Sequence, residues 1–304
     1  MQNYIKECFS QPLDYERLIF HSERISGLYG KIELSYIGQS LLSKKIPMLS
    51  FGHGEKSVVY VSGKQGTQWL CGCVLLSFLY ELGELSARGR TVCTASLPYI
   101  EKTRRLCVIP ILNPDGCDIS IHGPAPDCPL YDRICKANGT EDFSLWQANA
   151  RGVDIERNFG TDFERQKELE ASSGIICAAP AGFSGEYPES EPESAALCNF
   201  LRYTSPALLL SFHSQGEAVY AAESERLRGG GMIYERICAM TGYKKGAFGK
   251  TEAYGGLADW YTREMRLPAF SIEAGRGEAA LCLSSGESIY RRLREMLFSA
   301  PMLV

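Results

Sequence analysis

Short apolar runs of strand length alternate along this chain with longer stretches of helical period. Residues 58–62 read as a strand that leads into a helix over about 68–85, and residues 105–112 as another strand. A helix over 191–203 runs into a strand over 207–212. A further helix over 226–240, a strand over 269–273 and a closing helix over 285–298 complete the series. This order is expected when helices cover both faces of a mostly parallel sheet. It predicts an α/β fold: one three-layer domain whose mixed, mostly parallel twisted sheet is flanked by helices. No internal repeat and no linker-like composition divides the chain, so residues 1–304 are expected to form one domain with a lead-in over about 1–30.

Residues 113–188 break the pattern, being rich in Gly, Pro, Asp and Asn with little periodicity. Long irregular loops of this kind form binding surfaces in compact domains.

With 45% hydrophobic and 22% charged residues among 304, the chain can bury a large core. The net charge is −4 and no long basic run is present, which argues against nucleic acid or an anionic membrane as partner and favours small or peptidic ligands. Residues 1–19 mix Lys6, Glu7, Asp14, Glu16 and Arg17 with apolar positions, unlike the centre of a signal peptide. No stretch approaches the roughly 20 apolar residues of a membrane span, so a cytoplasmic location is expected. The 12 cysteines are scattered without a CxxC pair. Cys71, Cys93, Cys177, Cys198, Cys238 and Cys282 lie among apolar residues and are expected to be reduced core residues.

Five segments carry the candidate chemistry. Strand 105–112 ends in Asn113-Pro114-Asp115-Gly116, and residues 146–159 read WQANARGVDIERNF. Ser184-Gly185 precedes Ser190-Glu191-Pro192-Glu193. Ser211-Phe212-His213-Ser214-Gln215-Gly216-Glu217 follows, and then Phe270-Ser271-Ile272-Glu273. Each alone is weak, since NPDG is a common turn. In this order they resemble the carboxypeptidase A-type zinc peptidases. Together with Tyr36-Ile37-Gly38-Gln39-Ser40, the phrasing is most similar to the bacterial branch that cleaves γ-D-glutamyl–diamino acid bonds in peptidoglycan fragments.

The resemblance implies a zinc held by His, Glu and His, with an open position for a water whose pKa the metal lowers. It also implies a glutamate base, an oxyanion-stabilising cation and an Asn-Arg clamp for the substrate carboxylate. The first two ligands belong to HGxE at a strand-to-helix turn, and here that turn reads Lys64-Gln65-Gly66-Thr67-Gln68-Trp69. Gln65 and Gln68 thus stand at both ligand positions, and only His213 of the three is retained. A neutral amide oxygen is a weak donor beside an imidazole or a carboxylate, so no cofactor is expected, and zinc, the family's metal, would bind weakly if at all.

By the same resemblance, Gln147 stands where the oxyanion cation belongs and Glu156 where the clamp Asn belongs, so an anionic substrate end is repelled unless Arg157 neutralises Glu156. Arg157, Asn158, Ser214 and the general-base position Glu273 are retained. So is Asp154, which in the family orients the first ligand histidine. Ala258 matches a pocket-floor position, and the substrate-capping tyrosine has no sure counterpart, Tyr254 reading as a rim residue and Thr251 aligning in its place. His53-Gly54-Glu55 imitates the metal motif but precedes the strand, so His53, His21 and His122 are expected to be solvated or core-satisfied. Three outcomes follow: a non-catalytic relative that binds a peptide or muropeptide-like ligand, an active metallopeptidase with an atypical site, or a scaffold with a vestigial cleft. In the last, Asp154, Arg157 and Glu273 persist as an internal charge network and His213 as a buried, hydrogen-bonded core histidine.

Overall fold

The computed structural model describes residues 2–93, 95–221, 223–246, 256–277 and 280–304. Within them the strands are β1 (Ile32–Gln39), β2 (Lys45–Phe51), β3 (Lys56–Val61), β4 (Thr91–Val92), β5 (Ala95–Ser96), β6 (Arg104–Ile109), β7 (Leu208–His213), β8 (Ala218–Tyr220), β9 (Lys244–Lys245) and β10 (Ala269–Glu273). The helices are α1 (Gln2–Cys8), α2 (Tyr15–Leu28), α3 (Trp69–Ala87), α4 (Leu97–Thr103), α5 (Pro114–His122), α6 (Tyr131–Asn138), α7 (Phe163–Ser172), α8 (Pro192–Thr204), α9 (Gly230–Thr241), α10 (Leu257–Met265) and α11 (Gly286–Ser299).

Eight strands form one sheet in the order β1-β2-β6-β3-β7-β10-β8-β9. The centre, β6-β3-β7-β10, is parallel, and β1, β2 and β8 pair antiparallel at its flanks. The central strands are apolar on both faces because both faces are covered. Val58 and Tyr60 point into a core built with α1, α2, α3, α9 and α11. Val59 and Val61 point the other way, into a core with Ile155, Phe159, Leu197, Leu201 and Trp260. This is the mixed sheet between two helical layers that the alternation predicts.

Helix α3 is apolar and long enough to cross a bilayer by length and composition, contrary to the sequence expectation of no such stretch, but most of it is buried inside the fold. The lead-in is structured too. Helix α2 buries Leu18, His21, Ser22 and Ile25, a stripe at i, i+3, i+4 and i+7 in which two of the four positions are polar. Residues 113–188 hold three short helices, so the irregular reading holds only in part. Their compositional signal is weak because Pro and Gly serve as terminal residues there: Pro114 opens α5, and Gly139 in the left-handed region closes α6. None of the 12 cysteines is in a disulfide. Cys93, Cys177 and Cys282 are exposed rather than embedded, since each falls at a surface turn or loop.

The NPDG turn has a mechanical role. Asn113 accepts the Gly116 N–H at 2.9 Å, capping α5, and donates through Nδ2 to the Lys64 carbonyl at 3.1 Å. Gly66, in the next turn, lies so close to its neighbours that a Cβ would sit 2.3 Å from the Gly116 carbonyl oxygen and 2.5 Å from that of Trp146. Both neighbours are backbone and cannot rotate away. Gly66→Ala is therefore expected to lower stability by roughly 1–3 kcal/mol, read as a drop in thermal or denaturant midpoint.

Candidate functional site

The site forms at the carboxyl ends of the parallel strands, where open α/β sheets place their ligands. Register does the positioning: Val61 of β3 lies opposite Ser211 of β7, and His213 of β7 opposite Glu273 of β10. The turn at 62–68 therefore meets Ser211, His213 and Glu273. A cleft of about 390 Å³ opens there, lined among others by Gln65, Gln68, Glu156, Arg157, His213, Gln215, Asp259 and Glu273.

One hydrogen-bond chain fixes both glutamines. Asp154, buried at the start of a short 3-10 turn, also accepts the Glu156 N–H, and its two carboxylate oxygens lie 3.1 and 3.0 Å from Gln65 Nε2. A carboxylate only accepts, so the Gln65 amide must turn its nitrogen to Asp154. Its oxygen then accepts from Gln68 Nε2 at 2.6 Å, which leaves Gln68 Oε1 buried with no hydrogen-bond partner among the described residues.

The second feature is Lys64. Its side chain has no solvent exposure, and its Nζ lies 2.6 Å from Ser211 Oγ and 3.3 Å from Glu156 Oε2. The Glu156 contact is one of charge without an aligned hydrogen bond. Glu156 Oε1 accepts the Leu257 N–H at 3.2 Å, at the positive end of α10. Burial raises the Glu156 pKa while Lys64 opposes the rise. Because the ammonium only donates, Ser211 accepts from it, and the Ser211 hydroxyl also lies 3.1 Å from His213 Nε2. Burial, reinforced by the Lys64 charge, holds His213 well below the usual histidine range, so its imidazole is neutral.

These residues do not fit zinc as the family holds it. The Gln65 oxygen is taken by Gln68 and its nitrogen by Asp154, and His213 Nε2 is engaged by Ser211. The Lys64 ammonium opposes a second cation beside Glu156. Among the described residues no group of three or more His, Cys, Asp or Glu is arranged to hold a metal.

The cleft brings together Gln65, Gln68, Glu156, Arg157, His213, Ser214, Ala258 and Glu273. It does not include Asn158, which was expected to bind substrate. That side chain is fully buried and consumed by Ser184, Tyr187, Ser190, Glu191 and Ser194, so it anchors the approach to α8. Gln147 sits behind the cleft, accepting from Gln65 Nε2 at 3.0 Å. Arg157 does not neutralise Glu156: its guanidinium leans on Asp154 at 3.6 Å and donates to Gln166, and Lys64 takes the neutralising role. His21 is buried against the Tyr80 hydroxyl and lowered to about 4 by burial, His122 is exposed beside Asp14, and His53 is exposed. Thr251 and Tyr254 lie outside the described residues.

Sequence reasoning missed Lys64, Ser211 and Asp259. A lysine in the turn just past the apolar end of β3 and immediately ahead of the two glutamines was the available signal for the first. Asp259, in the first turn of α10, is raised from 3.8 to about 7, chiefly by burial.

Lys64→Met is expected to cost roughly 3–5 kcal/mol by leaving Glu156 buried without its counter-charge, and adding Glu156→Gln should restore most of it, a cycle read by chemical denaturation. Asp259 supplies a pH test. Its folded pKa lies above its unfolded value, so the native state binds the proton more tightly and this group's contribution to stability falls as pH rises from about 4 to about 7. Asp259→Asn should accordingly gain stability relative to the parent across that window, with the difference levelling off above it.

The zinc carboxypeptidase family profile matches residues 23–289. Gamma-D-glutamyl-L-diamino acid endopeptidase 1 of Lysinibacillus sphaericus is 26% identical over 283 residues, covering 92% of this chain and 70% of that protein. Murein peptide amidase A of Escherichia coli K12 is 28% identical over 117 residues, 36% of each chain. Among solved structures, bovine thrombin-activatable fibrinolysis inhibitor in complex with tick carboxypeptidase inhibitor superposes with a TM-score of 0.71 at 18% identity, covering 97% of each chain. Murein-tripeptide amidase MpaA from Escherichia coli O157 superposes at 0.52 and 18%, covering 89% of this chain and 90% of its own. The structural likenesses carry the fold, and the profile spans most of the sequence, from α2 to α11: this chain belongs to the zinc carboxypeptidase family.

Proposed function

We propose that this chain is a zinc-carboxypeptidase relative that binds a peptide or muropeptide-like ligand in its cleft without family-type zinc hydrolysis. The observation that carries the reading is the closed Asp154–Gln65–Gln68 chain beside the buried Lys64 ammonium. Two ligand positions hold amides committed to each other, and a positive charge already neighbours Glu156 and the third. The cleft itself persists, with a volume in the range of small-ligand sites. The similarity to an endopeptidase named for γ-D-glutamyl-L-diamino acid bonds supports cell-wall peptides as the ligand class.

A second reading is an active peptidase on the same peptides. It is favoured by Glu273, which lines the cleft at the family's general-base position. Zinc calorimetry on the purified chain, paired with hydrolysis assays on γ-D-glutamyl–diaminopimelate peptides, separates the two. The expected outcome is no submicromolar zinc binding and no chelator-sensitive hydrolysis. Submicromolar affinity, or hydrolysis abolished both by chelator and by Glu273→Gln, establishes the second reading instead.

A further inference from the structure

Three segments far apart in the chain meet at one ammonium. Lys64 Nζ, from the turn after β3, lies 2.6 Å from Ser211 Oγ on β7 and 3.3 Å from Glu156 Oε2 in the 3-10 turn 155–157. Glu156 reaches on to His213, its Oε1 standing 3.6 Å from Nε2, and the Ser211 hydroxyl lies 3.1 Å from the same nitrogen. One hydroxyl on one side and one carboxylate on the other thus separate the ammonium from the imidazole that the family pattern retains. Lys64 is held at both ends. Its side chain is fully buried, and its carbonyl accepts from Asn113 Nδ2 at 3.1 Å.

The charges of the two turns that carry positions 64–68 and 154–157 are already matched. Lys64 faces Glu156, and Arg157 faces Asp154 at 3.6 Å: two cations for two carboxylates. A dication brought to His213 would meet this filled balance and an ammonium at short range, where like charges repel strongly because little water screens them. With the ammonium removed, the same dication would find the Glu156 carboxylate unmatched and would supply the charge it needs. Lysine and metal are therefore alternatives at one place. The glutamines do not set this condition, since a neutral amide is a weak donor but does not repel a cation.

From this we infer that Lys64 is the resident cation of the site: it ties the turn after β3, strand β7 and the 155–157 turn together where the family uses a metal, and it bars a metal even when His and Glu stand at positions 65 and 68. The inference deepens the proposed function and rests on its reading that the parent chain does without family-type zinc. It places the decisive change at a residue that is not itself a ligand position.

The test compares zinc calorimetry, and the melting transition in zinc and in chelator, across the full-length parent chain, the pair Gln65→His with Gln68→Glu, and that pair combined with Lys64→Met or with Lys64→Gln. The pair alone is expected to show no submicromolar zinc binding and the same melting transition in zinc and in chelator. Either lysine change in that background should tighten zinc binding at least roughly tenfold, and zinc should raise the melting transition of the resulting variant. A lysine variant that folds only in zinc supports the same exchange. Submicromolar zinc binding by the pair with Lys64 in place overturns the inference. So do equal zinc affinity with and without the lysine, and failure of both lysine variants to fold in zinc. Submicromolar binding by the parent chain sinks the zinc-free reading as well, whereas binding that first appears in the pair sinks this inference and leaves that reading standing.

Discussion

A lysine ammonium with no solvent exposure has to be held by what surrounds it, and at Lys64 the holders are Ser211 and Glu156. The arrangement of the cleft depends on this contact. It holds Glu156, from the 3-10 turn after Asp154, and donates to Ser211, whose hydroxyl in turn lies against His213. It also contributes to keeping that imidazole neutral. A positive charge beside His213 is therefore supplied by the chain itself. Burying such a pair is seldom stabilising by itself, because desolvation offsets the attraction, yet once buried neither partner can be removed alone.

The same logic explains why the glutamines belong to a set. Asp154 fixes Gln65, Gln65 fixes Gln68, and Gln147 lies against the same amide. Restoring His and Glu at these two positions would leave Lys64 where it is, beside the carboxylate and imidazole that a metal would approach. The departure from the family pattern thus involves at least three neighbouring residues acting together.

Much of the framework was legible in the chain. The central strands and the helices α3, α8, α9 and α11 showed themselves because both faces of the sheet are covered and the apolar runs are unbroken. The flanking strand β1 was not, since at the sheet's edge it buries only Ile32 of its eight residues and keeps no regular alternation, and α2 hid behind a stripe that includes His21 and Ser22. The site was legible as a set of motif positions but not as a network. No periodicity indicates that Asn158 faces away, or that Lys64 rather than Arg157 meets Glu156; those depend on register between β3 and β7, which pairs residues some 150 apart.

Helix α3 is greasy on nearly every side because it is wrapped on every side. Its wrapping is assembled from segments far apart in the sequence: α1 and α2 are made before it, but α11, which packs along it, is made only long after it. A nascent chain therefore carries a half-covered apolar rod until α11 emerges, the condition under which chaperones bind and partly made chains associate. Loss of α11 would strike the protein's solubility before it touched the cleft.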